Sequence, residues 1–171
     1  MIPELANLRV PQDPRWHPEG DALRHSLLAA DVAAALYDRS DLPPHRREVV
    51  VLGALLHDVG KPATMRVRDG RITSQRHAEV GEGLVITMGA RMDWPASLTA
   101  AVAALVRYHM APVSVAGPPT RRAVRRLSAR LLEANTSLEE WGIVVDSDGA
   151  ARGSGAIPNR SEPWLRVGSL L

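Results

Sequence analysis

The chain has no cysteine, no phenylalanine and a single lysine among its 171 residues. Without Cys there can be no disulfide, no thiolate metal site and no thiol nucleophile, so any metal must be held by His, Asp or Glu. With no Phe, four Trp and two Tyr, the core has to be aliphatic, built from Leu, Val and Ala, and such a composition favours helices packed on helices. Long apolar runs are also missing. The longest uncharged stretch, Trp94 to Val106, is too short to span a bilayer, and Met1-Ile2-Pro3-Glu4-Leu5 lacks the basic and apolar regions of a secretion signal. The expectation is a cytoplasmic protein with no membrane partner.

The cations are twenty Arg against the one Lys, Lys61, and the formal net charge is only +2. That balance excludes a general polycation. Arg121, Arg122, Arg125, Arg126 and Arg130 nevertheless crowd one predicted helix, which is either a solvated face or a surface whose guanidinium forks meet phosphate oxygens.

At this length the chain suits one domain burying roughly 70% of its unfolded surface. Residues 1–20 hold four prolines and read as an extended segment; residues 21–152 form the domain; residues 153–171, rich in Gly, Pro and Ser, read as a C-terminal tail. Helices are expected over about Asp21–Tyr37, His45–Asp58, Ser74–Met92, Pro95–His109, Thr120–Ala134 and Ser137–Arg152, the last opened by a Ser137/Glu140 capping box. Met65 to Thr73 alternates about Asp69-Gly70, as a small hairpin does. The fold class is all-α: about six helices and at most one hairpin.

His57-Asp58 closes the apolar run Val49 to Leu56 and precedes Val59-Gly60-Lys61-Pro62. Such a doublet can supply an imidazole and a potentially bridging carboxylate to divalent metals. It can equally be a helix C-terminus whose imidazole caps free carbonyls. The other histidines shift the balance. His25 shares a helical face with Leu28, Ala29 and Val32; His77 with Val80, Gly81 and Leu84; His109 with Val106, Leu105 and Val102. Several buried imidazoles would each cost desolvation unless something common satisfied them.

Near the end of the last helix, Asp148 shares its face with Val145, Val144 and Trp141, whereas Asp146 lies with Ile143, Gly142 and Glu139. Asp148 is the better inward carboxylate, with Arg152 four residues on to hold it; Asp146 remains the alternative. His25, His57, Asp58 and Asp148 would then serve one metal, and His77 and His109 a second, with Asp58 between them. Such a donor set suits Mn, Ni, Co, Mg, Fe or Zn. A metal pair can activate water and clamp phosphate oxygens as they are attacked, with Lys61 neutralising charge on the phosphoryl group.

The order His25, His57-Asp58, His77, His109, Asp148 resembles the HD superfamily of metal-dependent phosphohydrolases. Within it, Pro11-Gln12-Asp13-Pro14-Arg15-Trp16-His17-Pro18-Glu19-Gly20-Asp21, His25, Leu55 to Thr64, Gly70-Arg71-Ile72 and His77 look like the HD domain of bacterial tRNA nucleotidyltransferases. They are similar too to HD domains joined to polynucleotide kinases in RNA repair. The resemblance covers roughly residues 8–155 and implies an HD-domain helical bundle with two divalent metals. It further implies hydrolysis of 2′,3′-cyclic phosphates or terminal 2′ and 3′ phosphates, with nucleotides or RNA carrying phosphate ends as partners. The implied metal ligands are His25, His57, Asp58, His77, His109 and Asp148, with Asp58 and Lys61 the catalytic pair and His17, Arg24 and Arg76 expected to contact substrate.

Two departures bear on this. No nucleotidyltransferase half accompanies the domain, so nucleotide addition is not implied, and the last motif, Asp146-Ser147-Asp148-Gly149-Ala150-Ala151-Arg152, is looser than the family's acidic-Gly-Arg cluster. Gly53 to Lys61 is not a P-loop, because Pro62 stands where Ser or Thr is required. The competing functions are a di-iron oxygenase, since some HD proteins with similar ligands use O2, and a non-catalytic nucleotide- or RNA-binding module.

Overall fold

The computed structural model describes residues 2–171. In order, they form α1 (Pro3–Asn7), α2 (Ala22–Tyr37), α3 (Arg47–Leu56), α4 (Lys61–Thr64), β1 (Arg66–Arg68), β2 (Arg71–Thr73), α5 (His77–Arg91), α6 (Ala96–Tyr108), α7 (Arg121–Glu133), α8 (Leu138–Ala150) and α9 (Glu162–Gly168), with short 3₁₀ turns at Pro44–Arg46, Ala111–Val113 and Gly153–Gly155. Six of these helices run ten residues or more, and the strands make one antiparallel hairpin pairing Val67 with Ile72. Asp69 and Gly70 both take positive φ at its turn, as a two-residue hairpin loop requires.

The central element is α3. Its run of Val and Leu leaves little polar surface, so it packs against α2, α6 and α8. Gly53 lets α6 and α8 come close: a Cβ there would lie 2.8 Å from Leu105 Cδ1 and 3.3 Å from Val144 Cγ2. The buried core contains Val50, Ala54, Leu56, Val85, Leu105, Leu131, Val144 and Val145, with only Tyr37, Trp141 and Trp164 as aromatics. Trp141 donates its indole N–H to the Tyr108 carbonyl at 2.9 Å, which satisfies the one polar atom it buries.

Three of the expected helices are capped by the residue that opens them, the first by Asp21, which accepts from the Arg24 N–H. Thr120 accepts from the Ala123 N–H, and Ser137 and Glu140 form the reciprocal capping box. The α5 start differs. Its N-cap is Arg76, in the left-handed region at φ 63°, while Ser74 lies one turn back and uses its carbonyl to accept from His77.

Both termini are more ordered than composition suggested. The lead-in contains α1, and the stretch read as a tail carries α9, whose Trp164 is buried with its ring 5.6 Å from that of Trp141. The reason is specific. Asp146 accepts from the Ser161 backbone N–H and hydroxyl, and the Gly149 carbonyl accepts from the N–H of Ile157, whose own carbonyl would sit 2.1 Å from a Cβ at position 149. None of the described helices is long and apolar enough to cross a membrane.

Candidate metal centre

The centre assembles where the C-termini of α3 and α6 meet the starts of α2 and α5 and the last turn of α8. His25, His57, Asp58, His77, His109 and Asp148 are all buried there. They fall into two groups. His25 Nε2 lies 3.2 Å from His57 Nε2 and 3.3 Å from Asp148 Oδ1, and His57 Nε2 lies 3.2 Å from Asp58 Oδ2. On the other side, His77 Nε2 lies 3.1 Å from His109 Nε2 and 3.3 Å from Asp58 Oδ1. Asp58 thus turns one oxygen to each histidine pair.

The Nδ1 atoms explain why the Nε2 atoms converge. His57, His77 and His109 each donate Nδ1–H to the backbone carbonyl three residues earlier, Ala54, Ser74 and Val106, at 2.7 Å. For His57 and His109 these are carbonyls left free at a helix end. A carbonyl can only accept, so the proton sits on Nδ1 and Nε2 presents a lone pair. The capping and ligand roles of the doublet are therefore not alternatives: one nitrogen of His57 caps the helix and the other faces the cluster.

His25 is held differently, with Nδ1 2.6 Å from Oε1 of the buried Glu19. The same oxygen lies 2.8 Å from His17 Nδ1. Burial works against a charge on His25, but Asp148 and Glu19 outweigh it and raise its pKa to about 9. For His109, burial and then the neighbouring His57 and His77 push the pKa down to about 3. Burial also acts to raise Asp58 and Asp148, yet the surrounding imidazoles, with Lys61 beside Asp58 and Arg152 beside Asp148, hold both well below the usual carboxylate range.

The Nε2 atoms of each pair lie 3.1–3.2 Å apart with the Asp58 and Asp148 oxygens turned toward them, a buried convergence of nitrogen and oxygen donors. That donor set fits divalent metals with nitrogen and oxygen ligands.

The centre opens into a cavity of about 960 Å³ whose walls carry seven cationic side chains, Lys61, Arg76, Arg107, Arg126, Arg130, Arg152 and Arg160, against four anionic ones. Lys61 Nζ stands 2.6 Å from Asp58 Oδ2 and donates to Gln12. Of the three residues expected to contact substrate, His17 and Arg76 line this cavity; Arg24 does not, because it sits one residue round α2 from His25 and is exposed. Only Arg126 and Arg130 of the basic α7 face the cavity. His45 is exposed at a 3₁₀ turn, away from the centre.

Residues 22–147 match the family described as HD domain. The chain belongs to the HD-domain family. Among relatives of this HD domain, a Multifunctional CCA protein of Halorhodospira halophila is 36% identical over 111 residues, 64% of the chain and 24% of that protein. A CC-adding tRNA nucleotidyltransferase of Thermus thermophilus is 40% identical over 81 residues, 46% of the chain and 18% of the relative. A bifunctional uridylyltransferase/uridylyl-removing enzyme of Streptomyces coelicolor is 30% identical over 141 residues, 78% of the chain and 14% of the relative. The matched stretch is a quarter or less of each of these longer proteins.

Three residues of the centre escaped sequence reasoning. Glu19 and Gln12 stand in the Pro11–Asp21 motif, but nothing in the periodicity of that segment says which members turn inward. Arg160, 2.9 Å from Asp148 Oδ2, lies in the Gly/Pro-rich stretch, where no pattern points to a partner twelve residues earlier. The pairing of Arg152 with Asp148, 3.0 Å, follows the i,i+4 expectation.

Proposed function

We propose that this HD domain is a two-metal phosphohydrolase acting on nucleotide or RNA phosphate esters, with 2′,3′-cyclic phosphodiesterase and 2′/3′-phosphatase activity as its reaction. The observation that carries the reading is Asp58, whose two oxygens address two separate histidine pairs at the base of a cation-lined cavity. His25, His57, Asp58 and Asp148 would hold one divalent ion, and Asp58, His77 and His109 the other. When bound, the pair supplies an activated water and Lewis-acid charge on the phosphoryl oxygens.

The chain's own residues do the rest. The Nδ1 donations fix each imidazole so that its lone pair needs no reorientation. Arg160 donates to Asp148 Oδ2 and Arg152 to both oxygens, which holds the carboxylate with Oδ1 toward His25. Lys61, set between Gln12 and Asp58, places an ammonium where charge develops on the phosphoryl group. His17, fixed through Nδ1 by Glu19, lines the cavity that would receive the ester. The names of the relatives, a tRNA nucleotidyltransferase and an uridylyl-removing enzyme, favour a substrate carrying a nucleotide. The surplus of cations favours an anionic substrate over O2 chemistry or a purely structural metal pair.

The test is a panel of phosphoesters, 2′,3′-cyclic nucleotides and RNA ending in a 2′ or 3′ phosphate, given to protein loaded with Mn, Ni, Co or Mg. Phosphate-ester turnover supports the reading. No turnover with any metal contradicts it, and tightly bound iron with substrate-dependent O2 uptake would replace it with oxygenase chemistry.

A further inference from the structure

Five of the six Trp and Tyr side chains are buried or partly packed against the core; Trp16 alone is 60% exposed. It lies at the cavity that leads to the metal centre, in company with His17, Ile72 and Arg76. The exposure is not that of a loose loop. The Trp16 and His17 N–H groups both donate to the Asp13 carbonyl at 3.0 Å, the Arg15 guanidinium grips the Asp13 carboxylate, and Gly20 N–H returns to the His17 carbonyl at 3.3 Å. Glu19 anchors the far end of the segment from inside. A large apolar ring presented to water from an ordered backbone contributes nothing to the core and loses stability relative to a buried position.

We propose that Trp16 is the stacking platform for a nucleobase, so that the cavity takes esters whose phosphate is attached to a nucleoside rather than phosphate esters in general. A base offers a π-face of matching size, and stacking tolerates any of the four. Trp16 lines the same cavity as Asp58, Lys61 and Asp148, and the ring of its neighbour His17 lies 4.8 Å from that of the proposed ligand His25. A base and a phosphate on one sugar can therefore engage the indole and the centre together. Exposed Val113 and Ile157 on the same cavity add apolar surface for the base, while the cations meet the phosphate. The inference rests on the phosphohydrolase reading only for the orientation of the ligand.

Adenosine 3′-phosphate and glycerol 2-phosphate, titrated against the full chain loaded with metal, test this by calorimetry and by quenching of tryptophan fluorescence. Adenosine 3′-phosphate should bind more tightly than glycerol 2-phosphate and quench the exposed indole. Trp16→Ala should lower the ratio of the two affinities by about five- to hundredfold, and Trp16→Phe should keep that ratio within about threefold. Because Trp16 is exposed, both variants should retain the parent's melting temperature. An unchanged ratio in Trp16→Ala overturns the inference even if both esters are hydrolysed. A ratio that falls while neither ester is hydrolysed upholds the base subsite and contradicts only the phosphohydrolase reading.

Discussion

At the scale of single residues, the proposed centre depends on how each donor's second atom is used. Asp58→Ala removes the one side chain shared by both groups and should abolish binding of both metals, as metal analysis after desalting would show. Lys61→Ala should leave the metal content intact and slow turnover by about 10²-fold or more, as loss of a positioned charge at a reacting centre does; loss of metal in that variant would make Lys61 structural. Glu19→Gln keeps the shape but removes the carboxylate beside His25. The expected result is about 10- to 100-fold weaker binding of one metal, the other retaining its affinity; equal weakening of both would mean that Glu19 merely supports the fold. The histidines, the doublet and Asp148 were legible because each sits on a helix or immediately past its end, where three- and four-residue spacing says which way a side chain faces. Glu19 and Arg160 were not, since loops carry no such periodicity.

At the scale of elements, the two groups are brought together by close backbone contact between the turn after α3 and the start of α5. A Cβ on Gly60 would lie 2.1 Å from the His77 carbonyl oxygen and 2.7 Å from the Gly81 nitrogen. Backbone atoms cannot swing aside as a side-chain end can, so Gly60→Ala must push the doublet away from His77. It should cost on the order of 1–3 kcal/mol, roughly 2–12 °C in melting temperature for a chain of this size, and weaken the Asp58/His77/His109 site with it. An unchanged melting temperature would show that the two elements tolerate separation. The six long helices and the hairpin were readable from period and turn chemistry. The docking of α9 was not, because its anchors are a buried Trp and an Asp146–Ser161 cap formed across fifteen residues.

At the scale of the whole molecule, the metal-free protein should be least stable at the two ends of the pH range. Burial lowers the pKa of His109 to about 3, and burial together with Lys61 lowers that of His17 to about 4; between those values and 6.5 the unfolded chain binds more protons, so stability falls on acidification. Glu19, which burial would raise but hydrogen bonds led by that from His25 hold at about 2, adds a further loss below pH 4.5. His25 acts in the opposite sense: its contribution is complete below pH 6.5 and disappears as pH rises toward 9. Thermal melts of the apo protein should therefore peak near neutrality, and a melting temperature flat from pH 4 to 9 would contradict these couplings. The claim on which all else depends is a pair of metals joined through Asp58. Electron paramagnetic resonance of the Mn(II)-loaded protein, with the metal content measured on the same sample, tests it most directly. Two Mn per chain with an exchange-coupled spectrum that is lost in Asp58→Ala is the predicted result; one Mn per chain, or two with independent spectra, would contradict it.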